Sequence, residues 1–164
     1  MYHAVGDAGQ DLAIKVYKTS ILVFKDRDRY VTGEYRFRQG YSKTNPRKMV
    51  KMWAEKEMRN LKRLASAGIP TPEAHMLRAH ILVMDFIGRD GEAAPRLKDA
   101  TLTDAQTAVA YAQVARNMWT LHNVCRLVHA DLSEFNILYW EGRCIIIDVS
   151  QSIETSACCV KWSN

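Results

Sequence analysis

The sequence lacks any apolar run near the roughly 18 residues needed to cross a bilayer, and its apolar runs are short, such as Ile81–Met84. Residues 1–20 lack the ordered basic, apolar and small-residue regions of a signal peptide. Its four cysteines form no C-x-x-C pair, which excludes a zinc ribbon and disfavours a disulfide framework. We therefore expect a protein of a reducing intracellular compartment and neither a membrane nor a secreted protein.

Positive charge is in excess, but one segment holds that excess. The 164 residues are 48% hydrophobic and 25% charged, which suits one globular domain or two small lobes, and the net charge is +5. Lys25–Lys51 contains nine Lys or Arg residues against three Asp or Glu, whereas the rest of the chain has 14 against 15. Such a block can meet phosphate-rich partners such as nucleic acid, or it can be a solvated surface loop.

The first part of the chain predicts a strand and then a long insertion. Leu12–Tyr17 is dominated by apolar and β-branched residues, follows a turn-forming segment and contains Lys15. Residues 19–44 show no sustained helical or strand period and include Gly33 and Gly40. We expect a flexible basic insertion there, because long loops are usually functional or disordered.

A helix is predicted after the insertion, with Asn45 as its N-cap, Pro46 at its first position and Gly68 beyond its end. Glu57 lies on the apolar stripe of this helix. An unpaired buried carboxylate costs on the order of several kcal/mol. We therefore expect a cation from elsewhere in the fold to pair with Glu57.

The next elements are a strand and a second helix. We predict a strand over residues 79–86, then a turn-rich crossing with a lobe boundary near residue 87. The second helix begins at Thr103, whose spacing to Gln106 fits a capping box. Its predicted core stripe comprises Ala108, Tyr111, Ala115, Met118 and His122.

The sharpest chemical signal is the segment His129–Asn136, which has the pattern H-x-D-x-x-x-x-N. A predicted hairpin around Glu141-Gly142 follows it, and Asp148 lies near the exit of the second strand. This is the arrangement of a kinase catalytic loop. Phosphoryl transfer needs one carboxylate to orient a hydroxyl or water and further oxygen ligands for Mg²⁺, and Asp131, Asn136 and Asp148 supply them.

Each of these residues has an ordinary alternative when it is taken singly. Asp131 and Asn136 could be turn residues and His129 a hydrogen-bonded core histidine. Lys15 could be an exposed strand residue and Glu57 a helix-surface acid. These alternatives lose ground together, because the Ala-Ile-Lys sequence ending at Lys15 matches the strand lysine of kinases, and Glu57 is the carboxylate such a lysine pairs with.

Several segments follow one family pattern, namely Gly40–Lys43 with Asn45–Met49, Trp53–Glu57, Leu82–Gly88, His129–Asn136 and Ile147–Ser152. Together they make the chain similar to the RIO family of atypical protein kinases, in its type-one branch. The resemblance implies an α+β, bilobal protein-kinase-like fold, in which a small N-lobe sheet and helix precede a truncated helical C-lobe. It divides the chain into an N-lobe over 1–87, a partial C-lobe over 88–154 and a divergent tail over 155–164.

The resemblance implies that ATP and Mg²⁺ are the cofactors and assigns the residues that bind the nucleotide. Lys15 would bind the phosphates of ATP, with Glu57 as its ion-pair partner. Asp85 and Ile87 would form the hinge that meets adenine through backbone groups.

The resemblance also assigns the residues of catalysis. Asp131 is implied as the catalytic base, and Asn136 and Asp148 as ligands of Mg²⁺. The family's metal-binding aspartate, here Asp148, is further implied to accept phosphate as an aspartyl-phosphate during ATP hydrolysis. The expected activity is that of a serine/threonine protein kinase, an ATPase or both.

The family context also suggests partners and a location. The family acts in maturation of the small (40S) ribosomal subunit, largely in the cytoplasm, so the implied partner is the pre-40S particle and, through the basic insertion, its RNA.

Two features depart from the family pattern. The family's glycine-containing phosphate loop belongs immediately before Met1–Ala4, so we expect weak ATP affinity. Residues 155–164 do not resemble the family's continuation, so we interpret the chain as a fragment or variant product, with apolar surface on its second helix left uncovered.

Two other functions remain open at the level of sequence. A small-molecule kinase of the aminoglycoside phosphotransferase type shares the His-x-Asp-x4-Asn logic, although the Gly40–Met49 segment argues against it. A catalytically impaired fragment that acts only as a pre-ribosome binding module is the alternative from a different class.

Overall fold

The computed structural model describes residues 1–18 and 46–155. Its first four strands form an antiparallel sheet in the order β1-β2-β4-β3. They are β1 (Tyr2–Val5), β2 (Asp11–Val16), β3 (Ala74–Arg78) and β4 (Ile81–Asp85). β2 lies between β1 and β4, and Lys15 stands opposite Leu82 in that register. Lys15 is thus paired within the sheet on its β4 side.

Helix α1 (Pro46–Ser66) begins at the predicted proline and packs against β3 and β4. It ends just before Gly68, whose φ of 76° lies in the left-handed region that glycine adopts without a steric penalty. Glu57 and Asn60 are polar side chains buried on the same side as Leu61 and Leu64. The predicted insertion at 19–44, the N-cap at Asn45 and the tail beyond Thr155 lie outside the described residues.

The second half contains one long helix and several short strands. They are β5 (Gly88–Arg89), β6 (Glu92–Ala93), α2 (Asp104–Asn123), β7 (Leu127–Val128), β8 (Ile137–Trp140), β9 (Arg143–Ile146) and β10 (Ile153–Glu154). The pairs β5–β6, β8–β9 and β7–β10 are antiparallel, and a 3₁₀ turn, Val149–Gln151, follows β9. Glu141 and Gly142 join β8 to β9 with φ angles of 49° and 76°, as a tight hairpin requires.

The orientation predicted for α2 is wrong. All five residues of the predicted core stripe are exposed, with Tyr111 at 77% and Met118 at 53%. The buried residues of the helix are Ala110, Asn117 and Leu121. α2 packs against a narrow hairpin, and Cys144 of β9 comes within 3.8 Å of the Ala110 carbonyl oxygen, a close approach that the small alanine permits.

One apolar core joins the sheet, α1 and the segments that follow α2. Its largest buried members include Leu61, Leu64, Leu82, Leu127 and Ile146. Two hydrogen bonds reinforce this junction at Ile146, whose N–H donates to the Pro70 carbonyl and whose carbonyl accepts from the Thr71 hydroxyl, each at 2.9 Å. The predicted lobe boundary near residue 87 stays a prediction. Among the described residues, no helix is both long enough and apolar enough to cross a membrane.

Candidate active site

Lys15 is the centre of the polar cluster. Its ammonium Nζ lies 2.8 Å from each carboxylate oxygen of Glu57 and 3.0 Å from Oδ1 of Asp148. The Glu57 side chain is 2% exposed and that of Lys15 is 21% exposed, so the pair is largely removed from water. The structure thus forms the Lys15–Glu57 ion pair that the sequence predicts.

Tyr17 is a partner of Glu57 that the sequence analysis missed. It follows β2 directly, and its hydroxyl donates a hydrogen bond to Oε2 of Glu57. Its ring also lies beneath Lys15, with the ammonium 5.3 Å from the ring centre. Side chains alternate along a strand, so a residue two positions from Lys15 lies on the same face of the sheet as Lys15. This spacing was the signal in the sequence that could have identified Tyr17.

Burial and charge act against each other in this cluster. Burial lowers the pKa of Lys15, but the Glu57 and Asp148 carboxylates more than offset this, so the lysine pKa lies above its usual value. Burial raises the pKa of Glu57, and Lys15 and the Tyr17 hydroxyl oppose that rise. Burial and the neighbouring Glu57 carboxylate both raise the pKa of Tyr17. Tyr17 therefore acts as a hydrogen-bond donor and not as a phenolate.

Asp148 lies between β9 and the 3₁₀ turn in a left-handed conformation, with φ 55° and ψ 56°. This conformation is uncommon for residues other than glycine, although aspartate adopts it more readily than most. Oδ1 of Asp148 accepts from Lys15 and from the Ser150 hydroxyl, each at 3.0 Å. Burial raises the pKa of Asp148, but Lys15 and Ser150 more than reverse this and leave it below its usual value. Asp148 is thus held ionised, and neither of those contacts uses Oδ2.

The catalytic-loop pattern places Asp131 beside Asn136. The Asn136 amide nitrogen donates to the Asp131 carbonyl at 2.9 Å and to its carboxylate Oδ2 at 3.0 Å. His129 is buried, accepts a bond from the Asp131 N–H at Nδ1 and lies 3.1 Å from the Ile147 carbonyl through Nε2. Because Nδ1 accepts, the proton belongs on Nε2, which donates to Ile147. His129 therefore ties the loop to the residue before Asp148.

A cavity of about 320 Å³ lies between the sheet and this loop. Its polar lining includes Lys15, Glu57, Asp85, Asn136 and Asp148, and its apolar lining includes Pro72, Met84, Ile87, Leu138 and Ile147. Asp131 does not line it, but is joined to it by its bonds with Asn136. An apolar cleft with a few converging polar groups is the usual form of a small-ligand site.

Asp85 and Ile87 lie at the end of β4, where the chain leaves the sheet. The N–H of Asp85 donates to the Glu73 carbonyl at 3.0 Å, and the N–H of Phe86 donates to the Asp11 carbonyl at 3.4 Å. The Ile87 carbonyl accepts from Ala94. The N–H of Ile87 has no hydrogen-bond partner among the described residues, and Ile87 lines the cavity.

The donor set fits a nucleotide-bound Mg²⁺ ion. Oδ2 of Asp148 and, because Nδ2 is the atom bound to Asp131, the amide oxygen of Asn136 are oxygen atoms that a hard cation can use. No three His, Cys, Asp or Glu side chains of the described ranges gather into a metal cage. Mg²⁺ usually keeps several water molecules and is held by one or two carboxylates together with phosphate oxygens.

A comparison with solved structures identifies the fold. The model is similar to the crystal structure of the Rio2 kinase–ADP/Mg²⁺–phosphoaspartate complex from Chaetomium thermophilum, with a TM-score of 0.70 and 23% sequence identity. The match covers 93% of this chain and 44% of that chain. The molecule is thus an α+β protein with the protein-kinase-like fold, as the sequence predicts.

Sequence comparisons narrow the class to one family. A family model described as "RIO domain" matches residues 1–159, and the chain belongs to the RIO-domain family. It is 65% identical over 154 residues to serine/threonine-protein kinase rio1 of Dictyostelium discoideum and 61% identical over 154 residues to serine/threonine-protein kinase RIO1 of Homo sapiens. Each match covers 94% of this chain and 27% of the relative, so the chain spans about a quarter of those proteins.

Proposed function

We propose that the chain is the nucleotide-binding part of a serine/threonine protein kinase or ATPase that transfers the terminal phosphate of ATP with the help of Mg²⁺. The observation that carries this proposal is the shared bonding of Lys15 to Glu57 and Asp148, on the wall of a cavity that also contains Asn136. A lysine held between two carboxylates keeps its charge and its position. Both are needed to bind phosphate groups.

For the nucleotide, we propose that the base lies against the apolar wall of Met84 and Leu138. The Ile87 N–H and the Asp85 carbonyl would bind the edge of adenine, since both lie where the chain leaves β4. Lys15 would then bind phosphate oxygens, with Glu57 and Tyr17 fixing its direction. This arrangement places the phosphates next to Asp148.

For catalysis, we propose that Asp131 orients the attacking hydroxyl or water and that Asn136 and Asp148 hold Mg²⁺. Mg²⁺, when bound, would neutralise charge on the phosphates. Asn136 bonds Oδ2 of Asp131, which leaves Oδ1 to accept a proton from the nucleophile. In an ATPase cycle, Oδ2 of Asp148 would bond the terminal phosphorus of ATP as the bond from that phosphorus to ADP breaks, since Oδ1 is already bonded to Lys15 and Ser150. ADP would leave, and a water oriented by Asp131 would then hydrolyse the aspartyl-phosphate.

We further propose, from the family resemblance, that the whole protein acts on the pre-40S ribosomal particle in the cytoplasm. The basic segment Lys25–Lys51 would contact ribosomal RNA through its phosphates. Filter binding of this RNA at two salt concentrations tests the idea, because a phosphate contact weakens as salt rises.

The central test is release of phosphate from labelled ATP with Mg²⁺. We expect turnover by the chain, and we expect Asp131→Ala and Asp148→Ala each to abolish it while circular dichroism remains unchanged. Asp99→Ala is the matched control, because Asp99 is an exposed aspartate that does not line the cavity. Lys15→Ala should mainly weaken nucleotide binding.

The outcomes distinguish the candidate functions. Turnover that survives in either Asp131→Ala or Asp148→Ala would contradict the assigned roles. A hydroxylamine-labile phosphate that disappears in Asp148→Ala would support the ATPase cycle. Turnover only with an added aminoglycoside would favour a small-molecule kinase, and RNA binding without turnover would favour a binding module.

A further inference from the structure

Asn60 is a buried polar side chain outside the residues proposed to bind the nucleotide or take part in catalysis. It is 2% exposed and lies on α1 one turn after Glu57. Its amide nitrogen donates a 2.9 Å hydrogen bond to the carbonyl of Val149, a residue with no solvent exposure. The bond crosses 89 positions of sequence and joins α1 to the 3₁₀ turn.

The position of this bond matters because Val149 directly follows Asp148. On the other side of Asp148, the Ile147 N–H donates to the Asn136 carbonyl at 3.0 Å, and His129 bonds the Ile147 carbonyl. Both flanks of the left-handed aspartate are therefore held from outside the segment. Asn60 supplies the anchor on the C-terminal flank.

Helix α1 thus contacts the Lys15 cluster in two ways. Through Glu57 it bonds the lysine directly, and through Asn60 it holds the backbone beside Asp148. Residues three apart lie on the same side of a helix, so a displacement of α1 moves both contacts at once. A single helix can therefore set the distance between the lysine and the proposed metal ligand.

We propose that Asn60 is a positioning residue that holds Asp148 in the orientation required to bind Mg²⁺ with the nucleotide. This inference rests on the proposed function. It assigns no contact between Asn60 and the nucleotide, so Asn60 affects binding only through Asp148. Loss of its hydrogen bond should leave metal-free nucleotide binding intact and weaken the contribution of the metal.

The test measures the dissociation constant of a fluorescent ADP analogue with and without Mg²⁺ for the whole chain, for Asn60→Leu and for the milder Asn60→Ala. We expect the Mg²⁺-dependent gain in affinity to fall about tenfold or more in both variants, as for loss of other partners that orient metal ligands. The affinity without Mg²⁺ should stay within about twofold of the unsubstituted chain, since Lys15 and Glu57 are unchanged. Leu64→Val is the matched control, because Leu64 is buried on the same helix one turn further along.

Each result decides between distinct conclusions. If Asn60→Ala retains the full Mg²⁺-dependent gain in affinity for the ADP analogue, the role of Asn60 is overturned and the proposed function still stands. Equal losses with and without Mg²⁺, matched by Leu64→Val, would show that Asn60 acts only on stability. If the unsubstituted chain gains no affinity from Mg²⁺, the proposed function fails and this inference fails with it.

Discussion

The hydroxyl of Tyr17 shows how a single polar atom stabilises a buried charge. It donates to Glu57, whose side chain is 2% exposed and has few other ways to replace its lost hydration. Hydrogen bonds to charged groups contribute more than neutral ones, and a buried acceptor left without its donor is costly. The Lys15–Glu57 pair therefore depends on a third residue.

We predict that Tyr17→Phe lowers the free energy of unfolding by about 1–2 kcal/mol. The change removes the donor to Glu57 and keeps the ring against the core. Urea unfolding followed by circular dichroism measures the effect. Tyr139→Phe is the control, because the Tyr139 hydroxyl has no hydrogen-bond partner among the described residues. Equal midpoints for the two variants would contradict the prediction.

The Asp148 carboxylate should make the stability of the fold depend on pH. Burial raises its pKa, but Lys15 and Ser150 bring it below the usual 3.8, so the folded state binds the proton less tightly than the unfolded state. Its carboxylate therefore stabilises the fold above about pH 4, and this contribution is lost as the pH falls through the lowered pKa. We expect the stability difference between the chain and Asp148→Asn to be larger at pH 7 than at pH 3.

Urea unfolding of both proteins at the two pH values measures this difference. The same pair of proteins should show a much smaller pH dependence in a Lys15→Met background, because the lysine is the main cause of the lowered pKa. A difference that is constant between pH 7 and pH 3 would show that the carboxylate gains nothing from its neighbours in the folded state.

The sequence predicts the Lys15–Glu57 pair of the site, but it does not predict the contacts of Asp148 and Tyr17 with that pair or of Ser150 with Asp148. Glu57 on an apolar stripe requires a cation, so the pair with Lys15 follows from the cost of burying an unpaired charge. The approach of Asp148 to the same lysine spans 133 positions and depends on the tertiary fold. Tyr17 and Ser150 carry neutral hydroxyls that can equally well face water. Because they carry no charge that must be paired on burial, the sequence does not mark them as members of the site.

At the scale of elements, the capping box of α2 is the best-defined local device. The Thr103 hydroxyl accepts from the Gln106 N–H at 3.3 Å, and the Gln106 side chain accepts from the Thr103 N–H at 2.9 Å. We predict that Thr103→Ala destabilises the chain by about 1 kcal/mol, since N–H groups of the first turn lose their acceptor. Thermal unfolding followed at 222 nm measures the loss.

Thr120→Ala provides the contrast on the same helix. Its hydroxyl bonds the Arg116 carbonyl within α2, an interaction that does not strengthen a helix, and alanine has the higher helix propensity. Thr120→Ala should therefore leave the midpoint unchanged or raise it slightly. A loss at Thr120 as large as that at Thr103 would show that the capping box has no special weight.

The sequence predicts the long elements better than the short ones. Strong end signals place α1 and the start of α2, whereas β1 and β3 were missed because each is short and carries polar or exposed residues. α2 has apolar side chains on more than one side, so periodicity alone could not select its buried face. The buried face of α2 is determined by the β8–β9 hairpin that packs against it. Ala110 packs on this hairpin, and the Gln113 side chain hydrogen-bonds the Gly142 carbonyl and the Cys144 N–H.

At the scale of the whole molecule, the shared core predicts one cooperative unfolding transition. Ile146 is 1% exposed and contacts the segment between α1 and β3 through both of its backbone groups. Ile146→Ala should cost about 2–5 kcal/mol and should lower the stability of the sheet as much as that of the hairpin.

Native-state hydrogen exchange measures this prediction element by element. We expect amides of β4 and of β9 to lose protection by equal amounts in Ile146→Ala, and we expect little change in Val109→Ala, whose parent side chain is 55% exposed. Loss of protection confined to the hairpin would mean that the two parts unfold separately.

The long reach of the Lys15–Asp148 contact also has a kinetic consequence. The hairpin and α2 are close in sequence and bind each other through Gln113, whereas Lys15 must meet a residue 133 positions away. Local contacts close small loops and form early in folding, while distant contacts tend to form after the main barrier. A ligand held between Lys15 and Asp148 will therefore slow unfolding and leave the rate of folding unchanged.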